Sequence, residues 1–231
     1  MIHEHSSGIL MRGISLLCLG LGSALVLAGA ASTRVGPEAV WNPSPEVIAK
    51  LRAECSVDPA KLGACFLQFM QAAGASSDAV AFSESLADKG YGYLYAFRDA
   101  GRVDIAYVQY VFRANEMEGV FLVNGDPPLI DVDDSRYPSQ EDQRKNADYV
   151  ALLQQYPQMS AWPAARGDTK LPSAISSATG QQFDVEYRLR NGCHACAQVG
   201  TEVVAFLFDG SGRFLGTKTL RVRPAASDRR P

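Results

Sequence analysis

The residues with the clearest chemical potential form a short segment in the C-terminal part of the chain, Gly192-Cys193-His194-Ala195-Cys196. Two cysteines separated by two residues can form a redox pair, contribute to a metal site or close a small structural disulfide. The imidazole between them can donate or accept hydrogen bonds. Because β-rich sequences precede and follow the segment, we expect a turn between two strands.

Three kinds of cysteine chemistry are disfavoured here. A redox thiolate is usually stabilised at a helix N-terminus, but residues 197–201 are too few to form a good helix before the next β-rich run. Haem attachment requires His directly after the second cysteine, where this chain has Ala197. A structural zinc site requires four ligands, more than this crowded segment offers. A structural turn, or the same turn presented as a binding loop with His194 and Ala195 at its tip, is favoured instead.

The first thirty residues have the three parts of a secretory signal peptide. Arg12 precedes an apolar stretch from Ile14 to Leu27, and Ala28-Gly29-Ala30 provides a cleavage site before Ala31. The apolar stretch is shorter than the roughly 20 residues of a membrane span. We therefore expect residues 1–30 to be removed, leaving no membrane span, and the protein to be periplasmic or secreted.

Four cysteines remain after this cleavage, namely Cys55, Cys65, Cys193 and Cys196. An even number in an exported chain predicts disulfides, and the close spacing favours 55–65 and 193–196 among the three connectivities that four cysteines allow. His194 is the remaining histidine, which excludes catalytic groups that need two. The net charge of −3, with scattered basic residues, predicts no binding to nucleic acid.

The elements that position these residues are predicted to be helices first and strands second. Ser44 with Pro45, and Asp58 with Pro59, are typical helix starts, and a third helix fits residues 77–89. Cys55 and Cys65 lie on the apolar faces of the first two helices, so their disulfide clamps a helical hairpin. Strand-rich runs separated by turn residues then predict an antiparallel meander, over residues 91–98, 103–114, 120–124 and 129–132.

The second half repeats this order in outline. Ser139 is expected to cap a helix over 140–155, and a Pro- and Ser-rich linker follows over 156–180. Three strands over 183–190, 202–209 and 213–222 predict a second meander, with Arg188 and Arg190 on the solvated face of the first strand. The chain is therefore predicted to be an α+β domain over 44–223, either one unit or two halves (44–134 and 137–223). We expect a flexible lead-in over 31–43 and a loose tail over 224–231.

An acidic loop between the two halves partly matches the pattern of a calcium-binding loop. Asp131, Asp133, Ser135 and Asp142 match ligand positions of an EF-hand loop, but Arg136 stands where that loop requires glycine. We therefore expect a solvated acidic loop, and the sequence predicts no metal and no cofactor.

The segment from Leu152 to Val222 resembles the Ivy family of periplasmic lysozyme inhibitors. The shared features, in order, are Met159 and Trp162 after a helix, Pro172 in a linker, Tyr187 in a strand, a cysteine-bounded loop with His194, and an apolar strand over 203–208. The resemblance implies a helix-backed antiparallel sheet and a loop, closed by Cys193 and Cys196, that inserts His194 into the lysozyme active-site cleft. The family's loop is longer and includes a proline, and residues 44–134 have no counterpart in the resemblance.

These features together predict an exported cell-envelope binding protein and not an enzyme. Its partner is expected to be a protein, either a lysozyme-like hydrolase that it inhibits or an envelope component. The alternatives are a thiol–disulfide oxidoreductase that uses Cys193 and Cys196, and a structural envelope protein that its disulfides only stabilise.

Overall fold

Helices and antiparallel strands alternate twice along the chain, which confirms the predicted α+β class. The computed structural model describes residues 34–55, 59–113, 117–163, 172–177 and 179–225; the predicted signal peptide lies outside these residues. The helices are α1 (Pro45–Cys55), α2 (Leu62–Ala72), α3 (Ser77–Glu84), α4 (Gln140–Gln143) and α5 (Ala147–Gln155). The strands are β1 (Gly92–Arg98), β2 (Asp104–Tyr110), β3 (Glu118–Val123), β4 (Leu129–Asp131), β5 (Met159–Pro163), β6 (Ser173–Ser177), β7 (Gly180–Asn191), β8 (Gln198–Asp209) and β9 (Phe214–Pro224).

A disulfide joins the first two helices, as their apolar faces predict. Cys55 and Cys65 are bonded, with their Cα atoms 5.6 Å apart. The Ser44 hydroxyl accepts a hydrogen bond from the backbone N–H of Val47 at the start of α1, whereas a short 3-10 turn over Pro59–Lys61 precedes α2. Asp58, the other predicted helix start, lies outside the described residues. Among the described helices, none has the length and apolar character needed to cross a membrane.

Two predicted helices are less continuous or shorter than their patterns suggest. The helix predicted over 140–155 is divided into α4 and α5, because the Asn146 side chain accepts a hydrogen bond from the backbone N–H of Tyr149 and starts a new helix. The helix predicted over 77–89 ends at Glu84, and a 3-10 turn follows over Ala87–Lys89.

The strands form two separate antiparallel sheets. The first sheet has the order β1-β2-β3-β4, which confirms the first predicted meander. The second sheet has the order β5-β7-β8-β9 and contains the second predicted meander. The linker predicted over 156–180 also contributes two strands, since β5 and β6 both pair with β7 along the same edge. The long β7 provides this edge, and the pairing determines the strand conformation of two short segments.

The two sheets pack face to face and share one hydrophobic core. Its members from the first sheet include Ile105, Tyr107, Leu122 and Ile130, and those from the second are Phe183, Val185, Tyr187, Val204, Phe206 and Phe208. The buried hydroxyl of Tyr187 donates to the backbone oxygen of Val132 at 2.6 Å and links the two layers. Helix α3 covers the other face of the first sheet, and α5 packs on the second sheet beside the shared core. The two predicted halves are therefore two layers of one structure.

The described part of the predicted lead-in, residues 34–43, is packed against the first sheet. Ala39 and Trp41 are buried, and the backbone N–H of Trp41 donates to Leu94 O at 2.8 Å. The Asn124 side chain bonds both the N–H and the carbonyl oxygen of Val35. This part of the predicted lead-in is therefore held by contacts with residues far along the chain. The predicted tail is also partly ordered, since Pro224 belongs to β9 and Ala225 N donates to Val199 O.

A carboxyl group, Glu202, is fully buried between β8, β9 and α4. It accepts hydrogen bonds of 2.7 Å from the Gln143 amide and from the Thr219 hydroxyl. Burial raises the pKa of Glu202 above its ordinary value, and these two hydrogen bonds oppose the shift. The folded protein therefore retains a proton there at pH values where the unfolded chain has released it. The stabilisation from this group is complete below the unfolded pKa and is lost as the pH rises through the folded pKa.

We therefore expect Glu202→Gln to gain stability relative to the wild type as the pH rises above the ordinary glutamate pKa, because the amide stays neutral. Urea unfolding at several pH values measures this difference. The Gln143 amide can reverse and accept a hydrogen bond from the new amide, so both contacts are preserved. The control, Glu202→Ala, also lacks the titrating group, so it should be less stable than Glu202→Gln by about 1–3 kcal/mol for each donor left unpaired, at every pH. A difference between Glu202→Gln and wild type that does not change with pH would contradict the prediction.

Candidate functional site

The segment that links β7 and β8 lies at the outer end of the second sheet. We call Gly192–Ala197 the tip loop. The backbone N–H of Asn191 donates to Ala197 O at 3.0 Å and closes the strand ladder, and Cys196 N donates to Cys193 O at 2.9 Å within the turn. Gly192 has a φ of +100°, in the left-handed region that favours glycine. The tip loop is therefore a tight reversal between two long strands, as the sequence predicts.

A disulfide closes this reversal and leaves its centre in solvent. Cys193 and Cys196 are bonded, with their Cα atoms 5.0 Å apart, so both predicted disulfide pairings occur. His194 and Ala195, the predicted binding residues, are exposed at the outer end of the turn. The covalent ring thus presents two side chains on a backbone that has little conformational freedom.

Two neighbouring side chains on the edge strand β5 stabilise the tip loop. The rings of Trp162 and His194 meet edge to face, with their centroids 5.1 Å apart. The indole N–H of Trp162 donates to Ser160 Oγ at 2.8 Å, and the Ser160 hydroxyl donates to the backbone oxygen of Gly192. On the β7 side, Arg190 Nη1 donates to Cys196 O at 2.7 Å. The loop is therefore fixed by both flanking strands as well as by its disulfide.

The surroundings of the two sulfur atoms offer little support for a reactive thiolate. Strand β8 begins at Gln198, two residues after Cys196, so the cysteines do not lie at the N-terminus of a helix that follows them in the chain. Such a terminus is a common means of lowering a cysteine pKa in redox proteins. The arrangement is that of a turn between two strands, as expected for a disulfide that shapes a loop.

The acidic loop has its own cations close by. Lys89 Nζ lies 3.7 Å from an Asp131 carboxylate oxygen and 3.3 Å from one of Asp134. Hydrogen bonds from Arg136 hold the pKa of Asp134 well below its ordinary value, while burial raises the pKa of Asp131. Among the described residues, no group of three His, Cys, Asp or Glu side chains is arranged to hold a metal ion. Asp131 and Asp134 are therefore engaged in ion pairs within the fold.

The sequence identified the cysteines and His194 of the tip loop. It predicted Arg190 as a solvated residue, whereas Arg190 is half-buried and donates to Cys196 O, and it missed Trp162 and Ser160 as supporting residues. The sequence indicates Trp162 only through the resemblance to the Ivy family, and it places Ser160 in the predicted linker. The lack of strand alternation over 159–163 left no local signal for β5.

Comparison of the chain with protein-family models, with curated proteins and with solved structures gives no match. The expectations that depend on the Ivy resemblance, a lysozyme partner and an inserted His194, therefore remain predictions.

Proposed function

We propose that the protein is an exported binding protein that contacts a protein partner through the tip loop, and that the partner is a lysozyme-like glycoside hydrolase which it inhibits. The observation that carries this proposal is the exposure of His194 on a loop closed by a disulfide and supported by Trp162. A loop that is already ordered loses little conformational entropy on binding. The tip loop therefore has the physical properties of a preformed contact element.

The chemistry of His194 suits the active site of such a hydrolase. Glycoside hydrolases hold two carboxyl groups on either side of the bond that they cleave. An imidazole ring can donate hydrogen bonds to carboxylates or accept one from a carboxylic acid. The two disulfides fit an oxidising compartment outside the cytosol. Both partners would then meet in the periplasm or outside the cell.

We expect His194→Ala to weaken inhibition of a C-type lysozyme about 5- to 150-fold, which corresponds to the loss of hydrogen bonds worth about 1–3 kcal/mol. Thermal stability should stay nearly unchanged, because the side chain is exposed. Titration of lysozyme activity with the purified protein measures the effect. The matched control is Ser211→Ala, an exposed residue in the turn at the opposite end of β8, which should inhibit like the wild type.

Two results would contradict the proposal in different ways. No inhibition by micromolar wild-type protein would exclude lysozyme as the partner. Equal inhibition by wild type and His194→Ala would support the inhibitor function but place the contact with lysozyme elsewhere on the surface.

The second candidate is thiol–disulfide exchange, and the exposure of Cys193 favours it. Thiol titration in mild reductant separates the two functions. A structural disulfide, with a potential below about −300 mV, resists this treatment, whereas a catalytic one is reduced.

A further inference from the structure

The outer face of the second sheet carries a row of four side chains beside the tip loop. Antiparallel pairing places Trp162 opposite Arg188, Arg188 opposite Thr201 and Thr201 opposite Arg223. Directly opposed residues point to the same side of a sheet, so these four share one face. Tyr187 and its alternate neighbours point to the other side, into the core.

The next row toward the tip loop adds another cation. Arg190 lies between Ser160 on β5 and Gln198 on β8. We call Trp162, Arg188, Arg190, Thr201 and Arg223 together the arginine face. Arg223 is exposed and the other four are half-buried. The face therefore combines one exposed guanidinium group, that of Arg223, with two half-buried ones and with an aromatic side chain that the fold already holds in place.

Charge is distributed unevenly along this side of the sheet. Among the described residues that pair in the two rows nearest the tip loop, none is an acid. Farther along, Glu186 shares a row with Arg221, and Asp184 shares a row with Lys218. Acids and bases therefore alternate at the far end, while three arginines gather at the near end. This local positive charge occurs in a chain whose net charge is −3.

We propose that the arginine face binds a carboxylate-bearing surface of the protein partner, next to the contact made by the tip loop. This inference rests on the proposed function, since one partner must engage both elements. Guanidinium groups bind carboxylates through paired, charge-assisted hydrogen bonds. Arginine and tryptophan are also enriched among the residues that dominate protein–protein contacts.

The size of the face favours a protein surface over a long polyanion. Trp162 and Arg223 are separated by three strand spacings, about 14 Å at roughly 4.8 Å each. This distance suits a few carboxylates on a folded partner. A nucleic acid or an anionic polysaccharide would require a longer track of cations.

Titration of the protein with short poly-L-glutamate tests the charge preference directly. The chain has two tryptophans; Trp41 is buried and Trp162 lies on the arginine face, so binding should change the Trp162 fluorescence. We expect Arg188→Gln/Arg223→Gln to weaken binding about tenfold, and high salt to abolish it. The control, Lys50→Gln/Lys218→Gln, removes the same charge from exposed positions outside the face and should bind like the wild type.

Thermal unfolding of both double variants verifies that each remains folded. Equal binding by the wild type and both variants would overturn the proposal. Binding to heparin or to phosphatidylglycerol vesicles without binding to poly-L-glutamate would overturn it as well, because the partner would then belong to another class.

The lysozyme titration separates this inference from the proposed function. If Arg188→Gln/Arg223→Gln inhibits lysozyme as the wild type does while His194→Ala does not, the arginine face is not part of the contact and the tip loop still is. The wild type could fail to inhibit lysozyme and still bind poly-L-glutamate more tightly than Arg188→Gln/Arg223→Gln does. The lysozyme partner would then be wrong, and the preference of the arginine face for carboxylates would be upheld.

Discussion

Replacing Asp104 by alanine is expected to lower the free energy of unfolding by roughly 3 kcal/mol. The side chain is 1% exposed, and its two oxygens accept four hydrogen bonds. The donors are Arg34 Nη2 and Asn124 Nδ2, both at 2.7 Å, and the backbone N–H groups of Ala100 at 2.9 Å and Gly101 at 3.2 Å. An alanine removes this acceptor from all four donors. Gly101 N keeps Asp99 Oδ1 as an acceptor and Arg34 Nη2 keeps Gly101 O, whereas each buried donor left unpaired costs about 1–3 kcal/mol.

Two further variants separate the hydrogen-bond network from the ion pair. Arg34 is 56% exposed, and Asp104 keeps its other three donors when Arg34 is removed, so Arg34→Ala should cost about 1 kcal/mol or less. Asp104→Asn retains one acceptor oxygen but turns an amide toward two other donors, so its cost should be intermediate. Urea unfolding at pH 7 ranks the three variants. Equal losses for Asp104→Ala and Arg34→Ala would show that the ion pair accounts for the stabilisation, and the network prediction would fail.

The elements with local patterns could be predicted from the sequence. Strand β7 alternates apolar and polar residues from Phe183 to Arg190, and this period of two is specific to a half-buried strand. Helix α2 has an apolar face of period 3.6, and both disulfides follow from cysteine spacing. In each case the residues that determine the structure are neighbours in the chain.

Elements with distant determinants could not be predicted. Strands β5 and β6 lack alternation, and they are strands because β7 provides a long edge with unpaired backbone groups. The segment over 34–43 is ordered by Leu94, Asp104 and Asn124, which lie more than fifty residues away. No local pattern in either segment reports these partners.

The same distinction between local and distant determinants applies to the candidate site. The tip loop is visible in the sequence because two cysteines enclose a histidine between two strand patterns. The alternation of β7 also places Arg188 and Arg190 on one polar face. Their clustering with Trp162 and Arg223 depends on the register of three strand pairs, and this register is a property of the folded sheet. Isolated arginines on a solvated strand therefore become a charged surface only in the structure.

The two disulfides are expected to differ in what their removal costs. Cys55→Ala/Cys65→Ala should lower the free energy of unfolding by about 3 kcal/mol and Cys193→Ala/Cys196→Ala by about 2 kcal/mol, since the longer loop constrains the unfolded chain more. The sequence separations are 10 and 3 residues. Cys55 also packs with Leu51, Phe66 and Met70 in the helical core, so its truncation adds a packing loss. Urea unfolding of both double variants beside the wild type measures the difference.

Lysozyme inhibition should rank the same two double variants in the opposite order, with the larger loss for Cys193→Ala/Cys196→Ala. The tip-loop pair holds His194 in few conformations, so its removal should weaken lysozyme inhibition although it costs the smaller amount of stability. The helical pair lies outside the proposed contact. Urea unfolding of the wild-type protein in strong reductant is the control for the stability measurements. The reductant breaks both disulfides but leaves the sulfur atoms of Cys55 and Cys65 in the core. If Cys193→Ala/Cys196→Ala costs more stability than Cys55→Ala/Cys65→Ala, the loop-length account is wrong. If it leaves inhibition unchanged, the ordering of His194 by the disulfide does not contribute to binding.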